Sequence, residues 1–355
     1  MSSSYTPGPT SHHGDRHSSG VGSRTSRRDV RRARHTAARP TPHGALLAVG
    51  AAVAVVLGSC AVDDDEATTG GTATPTGAHT AAPEAEGADT NGPGAGARSD
   101  ADSPDELRYA RYVALGDSFA AFGPVDAPTS GPQSCLRSSL NYPAVLAESG
   151  YIGELVDVTC GGARTTDMTA SQITETPPQF DALTGDTDLV TLSIGGNDIG
   201  FGDIAGCVIT TRAEAGSPCR DRLEMSVTAA LDALPAQLDA VYAGIRERSP
   251  DARIVTTAYM PLVPADGGCG FVSAMAPGDV TWTRYVTDRI NLLVAGAADR
   301  AGAELAAPSD AADRHACAPA DQRYTDFTGA ETGSHPMHPT APGQAAMADA
   351  VAGVL

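Results

Sequence analysis

Tyr112-Val113-Ala114-Leu115-Gly116-Asp117-Ser118-Phe119 is the stretch on which the fold turns. Its first four residues form a short apolar run that stops at a glycine turn, the pattern of a buried parallel strand delivering a residue to its carboxyl edge. Ser118 is thereby placed where ligands bind in open α/β sheets. A serine hydroxyl is a weak nucleophile at neutral pH. It needs a base within about 3 Å and donors for the oxyanion it creates. Working outward, a second apolar run, Leu189-Val190-Thr191-Leu192-Ser193-Ile194, ends in Gly195-Gly196-Asn197-Asp198, so the Asn197 amide can donate toward the same sheet edge. Between the two lies Thr159-Cys160-Gly161-Gly162-Ala163-Arg164, whose glycines let backbone N–H groups approach a ligand closely. His338, in His338-Pro339, supplies a base. Each block by itself is ordinary turn chemistry; their order, strand context and spacing carry the reading.

Taken together, the blocks resemble those of the SGNH (GDSL-type) hydrolases, and the resemblance covers about residues 107–355. By position, Ser118 matches the nucleophile, Gly162 and Asn197 the oxyanion-hole residues alongside the Ser118 N–H, and His338 the base. The resemblance implies a three-layer α/β/α sandwich around a flavodoxin-like parallel sheet of about five strands. It also implies ester hydrolysis through an acyl-enzyme on Ser118 with no metal or organic cofactor. Gly116-Asp117-Ser118-Phe119-Ala120 comes close to the nucleophile elbow of α/β-hydrolases. Ser118, however, arrives about a dozen residues into the domain with no His-Gly-Gly-type loop before it.

One position departs from the pattern. The acid that orients the base usually precedes it by three residues, and here that residue is His335. The expectation is a Ser–His dyad in which the backbone carbonyl of His335 accepts the Nδ1–H of His338. A neutral acceptor fixes the tautomer, although it stabilises the imidazolium less than a carboxylate does. Asp326 and Asp313 are the rival orienters, and an inactive surface-binding lipoprotein is the rival for a chain lacking that acid. Six of the nine histidines fall at 12, 13, 17, 35, 43 and 79, which leaves His315, His335 and His338 in the domain. His315, Cys317, His335 and His338 include zinc-ligand types, but a disulfide is the better use of Cys317.

Seven cysteines are present, and Cys60 stands apart at the end of an apolar run. The remaining six, at 135, 160, 207, 219, 269 and 317, suggest three disulfides in an exported domain, for which sequence alone allows fifteen pairings. The resembling secreted enzymes imply sequential pairing: Cys135–Cys160, Cys207–Cys219 and Cys269–Cys317. Residues 1–43 carry eight arginines against Asp15 and Asp29 and precede the apolar run from Ala45 to Leu57. That run is short for a membrane span. Leu57-Gly58-Ser59-Cys60 resembles the lipobox of bacterial lipoproteins, so residues 1–60 read as a basic region and signal peptide ending at a lipidated Cys60. Ser26-Arg27-Arg28-Asp29-Val30 hints at twin-arginine export. The protein is then expected outside the cell, anchored to the outer face of the membrane or secreted, and monomeric.

Residues 61–106 are rich in Ala, Gly, Thr, Pro and Asp, a composition that cannot bury enough apolar surface to order itself and predicts a disordered tether. Residues 61–355 hold sixteen arginines, no lysine and forty-one acidic residues, a balance that excludes nucleic acid as partner. Within 107–355, strands are expected near 111–115, 155–159, 188–194, 253–258 and 303–306. Helices are expected near 139–149, 222–247, 279–302 and 340–354. Leu223, Val227, Leu231, Leu234, Leu238, Val241 and Ile245 recur at steps of three and four, and Pro235 should kink or split their helix. Phe119, Phe122, Phe201 and Met260-Pro261-Leu262-Val263 are acyl-chain walls or core. Acyl lipids and other lipophilic esters are the expected substrates, with deacetylation of polysaccharide or cell-wall esters as the alternative.

Overall fold

The structure is a computed structural model and describes residues 107–355. The basic segment and signal region, Cys60 and the 61–106 tether lie outside the described residues. Five parallel strands form the sheet: β1 (Tyr109–Gly116), β2 (Ile152–Asp157), β3 (Leu189–Ser193), β4 (Arg253–Thr257) and β5 (Glu304–Ala306), in the spatial order β2-β1-β3-β4-β5. This is the flavodoxin-like order, and ligands of such sheets bind where the order reverses, between β1 and β3. Leu115 pairs with Leu192 and Gly116 with Ser193, so these two strands end level. Ser118 and Asn197 therefore rise from neighbouring strand ends at the switch point.

Alternation along the strands divides the core into two layers. Val113, Leu115, Val190, Leu192 and Ile254 face α4 (Pro218–Arg248) and α6 (Pro277–Ala301). Tyr112, Ala114, Leu189 and Val255 face α2 (Tyr142–Ala147) and α7 (Ala341–Ala352). The three-layer sandwich follows from burying both faces. The short helices α1 (Ser118–Ala121), α3 (Phe201–Thr210) and α5 (Gly270–Ala274) follow β1, β3 and β4 at the ligand edge.

The expected strands and long helices are all present within a few residues. The splitting of the fourth helix is not: α4 runs unbroken through Pro235. Leu231, Leu234 and Leu238 are all buried in the same core layer, so packing on both sides of the proline keeps the helix continuous despite the lost backbone hydrogen bond. Disulfides join Cys135 to Cys160, Cys207 to Cys219 and Cys269 to Cys317, the sequential pairing. The first ties the loop after α1 to the glycine block at 160–162, the second fixes α3 to the start of α4, and the third links the α5 segment to the loop before α7.

Candidate active site

Ser118 is the first residue of α1, and Asp117 caps that helix by accepting the Phe119 N–H at 3.0 Å. The cap fixes the turn, which leaves the Ser118 hydroxyl 2.7 Å from Nε2 of His338, a residue 220 positions away in sequence. His338 lies in a two-residue antiparallel ladder, Asp326 opposite His338 and Thr325 opposite Pro339, immediately before the Thr340 cap of α7. Phe119, Phe122 and Phe201 surround its ring, with centroids at 5.5, 4.6 and 6.2 Å. Burial among these rings lowers the His338 pKa to about 4; the Pro336 carbonyl opposes the shift and neighbouring His335 adds to it. The imidazole is therefore neutral at physiological pH, the form a base requires.

The carbonyl that meets Nδ1 of His338 is one residue further along than expected. Its Nδ1 lies 2.7 Å from the carbonyl oxygen of Pro336, while the His335 carbonyl accepts the backbone N–H of His338 at 3.2 Å. The reason is a reverse turn over His335-Pro336-Met337-His338. Proline in its second position and Met337 at φ 61° in its third are the marks of a type II turn. The closing bond occupies the His335 carbonyl, and the central carbonyl, that of Pro336, is left to meet the ring. Asp326 does not touch the ring either. Its carboxylate accepts the Thr328 N–H at 3.0 Å and the Thr332 hydroxyl at 2.9 Å, and its carbonyl accepts the Met337 N–H at 2.7 Å. Asp313 is exposed and makes no side-chain hydrogen bond among the described residues. Cys317 is oxidised to Cys269 and so is not available as a metal ligand beside His315, His335 and His338.

Asn197 is tied to the residue after Gly162: its Nδ2 donates to the Ala163 carbonyl at 3.0 Å, and one of its two amide hydrogens remains for a ligand. Cys160 N donates to the Gly116 carbonyl at 3.0 Å, which ties the glycine block to the turn bearing Ser118. Gly162 sits at φ 81°, a conformation open to glycine at little cost. Neither its N–H nor that of Ser118 has a backbone partner among the described residues. Asp198 accepts both the backbone N–H and the hydroxyl of Thr165, at 3.1 and 2.5 Å, and so braces the same loop from below.

A narrow cleft of about 80 Å³ opens beside Ser118 and Asn197. Phe119, Phe201, Met260, Leu262 and Val263 line it, whereas Phe122 turns away to pack on His335 and His338. The far wall is one face of α6, Thr283, Val286, Thr287 and Ile290. The two threonine hydroxyls donate to helix carbonyls, Thr283 to Asp279 at 2.8 Å and Thr287 to Thr283 at 3.0 Å, and are thus satisfied within the helix. The wall is effectively apolar.

Sequence reasoning did not single out three buried polar residues that hold this site together. Gln179 clasps Gly116, accepting its N–H at 2.8 Å and donating to its carbonyl at 3.0 Å. Gln344 donates to the carbonyls of Phe119 and Phe122 at 3.1 and 2.7 Å and so fixes α1 from α7. Tyr259 donates to Asp117 at 2.6 Å. The only hint in sequence is a polar residue inside or beside an otherwise apolar stretch.

The GDSL-like Lipase/Acylhydrolase family matches residues 114–346, which include all four blocks. The chain belongs to this family and is a carboxylic ester hydrolase. It is 38% identical over 253 residues to "Lipase 2" of Streptomyces coelicolor, a match spanning 69% of this chain and 85% of that protein. Among solved structures it resembles an extracellular lipase from Streptomyces rimosus, with TM-score 0.59 and 28% identity over 69% of this chain and 100% of the other. A phospholipase A1 from Streptomyces albidoflavus is similar, with TM-score 0.55 and 27% identity over 69% and 99% of the two chains. With three disulfides in its domain, the protein is an exported one.

Proposed function

We propose that the protein is a lipase-type esterase that cleaves lipophilic acyl esters through an acyl-enzyme on Ser118. The observation that carries this reading is the 2.7 Å contact between the Ser118 hydroxyl and His338 Nε2 at the mouth of an apolar cleft. Ser118 Oγ attacks the ester carbonyl carbon as its proton passes to Nε2. The oxyanion forms among the N–H groups of Ser118 and Gly162 and the free amide hydrogen of Asn197. The imidazolium, steadied at Nδ1 by the Pro336 carbonyl, returns the proton to the departing alcohol. The same ring then takes a proton from water, which attacks the acyl carbon and releases the acid and Ser118.

The acyl chain lies along α6. From Ile290 to Thr283 the helix advances about 10 Å at roughly 1.5 Å per residue, a depth suited to a chain well beyond acetyl. That wall favours lipid over sugar esters, since it offers an acyl chain apolar contact and a sugar ring no free polar partner. The relatives named as lipases and as a phospholipase point the same way.

Hydrolysis of p-nitrophenyl esters from acetyl to palmitoyl, run beside Ser118→Ala, tests the reading. Serine-dependent turnover that rises with chain length supports it. Preference for acetyl sinks the lipid assignment. No turnover by a folded, disulfide-intact protein sinks the enzyme, and the surface-binding lipoprotein takes its place. The N-terminal motif ending at Cys60 suggests that the domain is tethered to the outer face of the membrane. Cys60→Ala should release it from membranes into the medium, and retention of that variant would disprove the anchor.

A further inference from the structure

We propose that Tyr259 is a positioning residue that couples the nucleophile turn to the oxyanion loop, an inference that rests on the serine-esterase reading above. Its phenolic oxygen donates to Asp117 Oδ2 at 2.6 Å and accepts the Gly196 N–H at 2.8 Å. Asp117 immediately precedes Ser118 and Gly196 immediately precedes Asn197. One hydroxyl therefore bridges the ends of β1 and β3 at the two residues beside the proposed nucleophile and oxyanion donor.

The bridge is closely built on every side. A Cβ on Gly196 would lie 3.1 Å from the phenolic oxygen and 3.2 Å from the ring, so a larger residue there would push the phenol back by a few tenths of an ångström. Asn291 of α6 clasps the Tyr259 backbone, accepting its N–H at 2.8 Å and donating to its carbonyl at 2.9 Å. The ring packs edge-on against Phe119 with centroids 4.9 Å apart, which leaves the hydroxyl little freedom. Asp117 and Tyr259 are both buried, so loss of the phenol takes a hydrogen-bond partner from a buried carboxyl group. Without the bridge, Ser118 and Asn197 remain on their own strands but lose the element that sets their separation. A misplacement of about 1 Å between reacting groups is enough to cost on the order of 100-fold in rate.

Tyr259→Phe keeps the ring that faces the cleft and removes only the hydroxyl. On the p-nitrophenyl ester the wild type handles best, kcat should fall about 10- to 100-fold. KM should stay within about twofold and the chain-length profile should not move, because uniform binding is untouched. Unchanged kcat overturns the proposal. So does a shift of KM and chain-length preference together, which would make Tyr259 a pocket wall. If Tyr259→Phe does not fold, Asn291→Ala, which keeps the hydroxyl but frees the backbone that carries it, must lower kcat at constant KM; unchanged kcat again overturns the idea. Absence of wild-type turnover would instead defeat the esterase reading on which the experiment stands.

Discussion

Ser118 stands on the end of a parallel sheet, whereas His338 stands on a loop with almost no regular structure. The serine is placed by strand register, with β1 and β3 ending level, by a capped helix and by the clasp of Gln179 on Gly116. The histidine comes from the segment between β5 and α7, whose one regular feature is a two-residue ladder. Polar side chains do there what the sheet does elsewhere. Arg323 donates to the Ala318 carbonyl and to Glu331, both at 2.9 Å, Thr325 donates to the Pro261 carbonyl at 2.8 Å, and Thr340 donates to the Arg323 carbonyl at 2.6 Å. The backbone of a sheet edge is held by its ladder, so changes there act through the side chains that do the chemistry. A loop held by individual hydrogen bonds relies on each of them for its shape, though it can be shaped more freely around a catalytic ring.

The largest effect is expected on the sheet side. Asn197→Ala removes an oxyanion donor without touching the dyad, and kcat should fall about 10²–10³-fold with little change in KM. Steady-state kinetics on the preferred p-nitrophenyl ester check this. A loss below tenfold would mean that the N–H groups of Ser118 and Gly162 suffice.

Titration contrasts the two regions most directly, since burial moves their ionisable groups in opposite directions. Desolvation raises Asp117 to about 7, opposed by the Tyr259 hydroxyl and the Phe119 N–H and reinforced by Asp198, while it lowers His338 to about 4. The folded protein thus holds more protons at Asp117 than the unfolded chain between pH 3.8 and about 7, and this group's contribution to stability declines as pH rises through that window. At His338 the folded protein holds fewer protons between about 4 and 6.5, so that contribution is lost as pH falls. For catalysis the base stays neutral well into acid. With an ordinary histidine only about 3% would be neutral at pH 5, and with this one most of it is. The acid limb of kcat/KM should therefore lie well below 6, and an apparent pKa of 6.5 would refute the burial argument.

How much could be read in advance follows the same division. Residues 112–119 and 189–198 are a strand followed by a turn, so periodicity and glycine placement put Ser118 and Asn197 at the right edge, and Gly162 followed from its block. His338 was found by its motif, but its surroundings were not legible. Which carbonyl meets Nδ1 depends on the left-handed conformation of Met337, a residue type that rarely adopts it. Gln179, Gln344 and Tyr259 were missed because each acts across more than 60 residues of sequence and belongs to no local pattern. Of the two expectations for Pro235, a kink or a split, the split does not occur because tertiary packing overrides the local penalty.

Asp326 separates support of the loop from chemistry on the ring. Asp326→Asn keeps the shape but weakens the bonds to Thr332 and Arg323, the latter at 3.4 Å, in a buried site. Thermal unfolding should show a loss on the order of 1–3 kcal/mol, with kcat of the folded enzyme reduced less than tenfold. Asp313→Ala should change neither. A drop of several orders of magnitude at either aspartate would make it the orienter in place of a carbonyl.

The smallest effect belongs to Pro336, and it tests the turn itself. Pro336→Ala retains the carbonyl that faces Nδ1 but gives up the fixed φ that presets the second position of the turn. Met337 must then hold its left-handed conformation with less help, at a cost of about 1–2 kcal/mol for a side chain with a Cβ. The turn will populate other shapes part of the time, and in those His338 has no acceptor at Nδ1 and loses its tautomer. A two- to fivefold fall in kcat is expected, partly restored by Met337→Gly in the same chain, because glycine adopts the left-handed conformation freely. Full activity in Pro336→Ala would mean that the aromatic packing of Phe119, Phe122 and Phe201 alone orients the ring, and the base loop would then be as rigid as the sheet edge it faces.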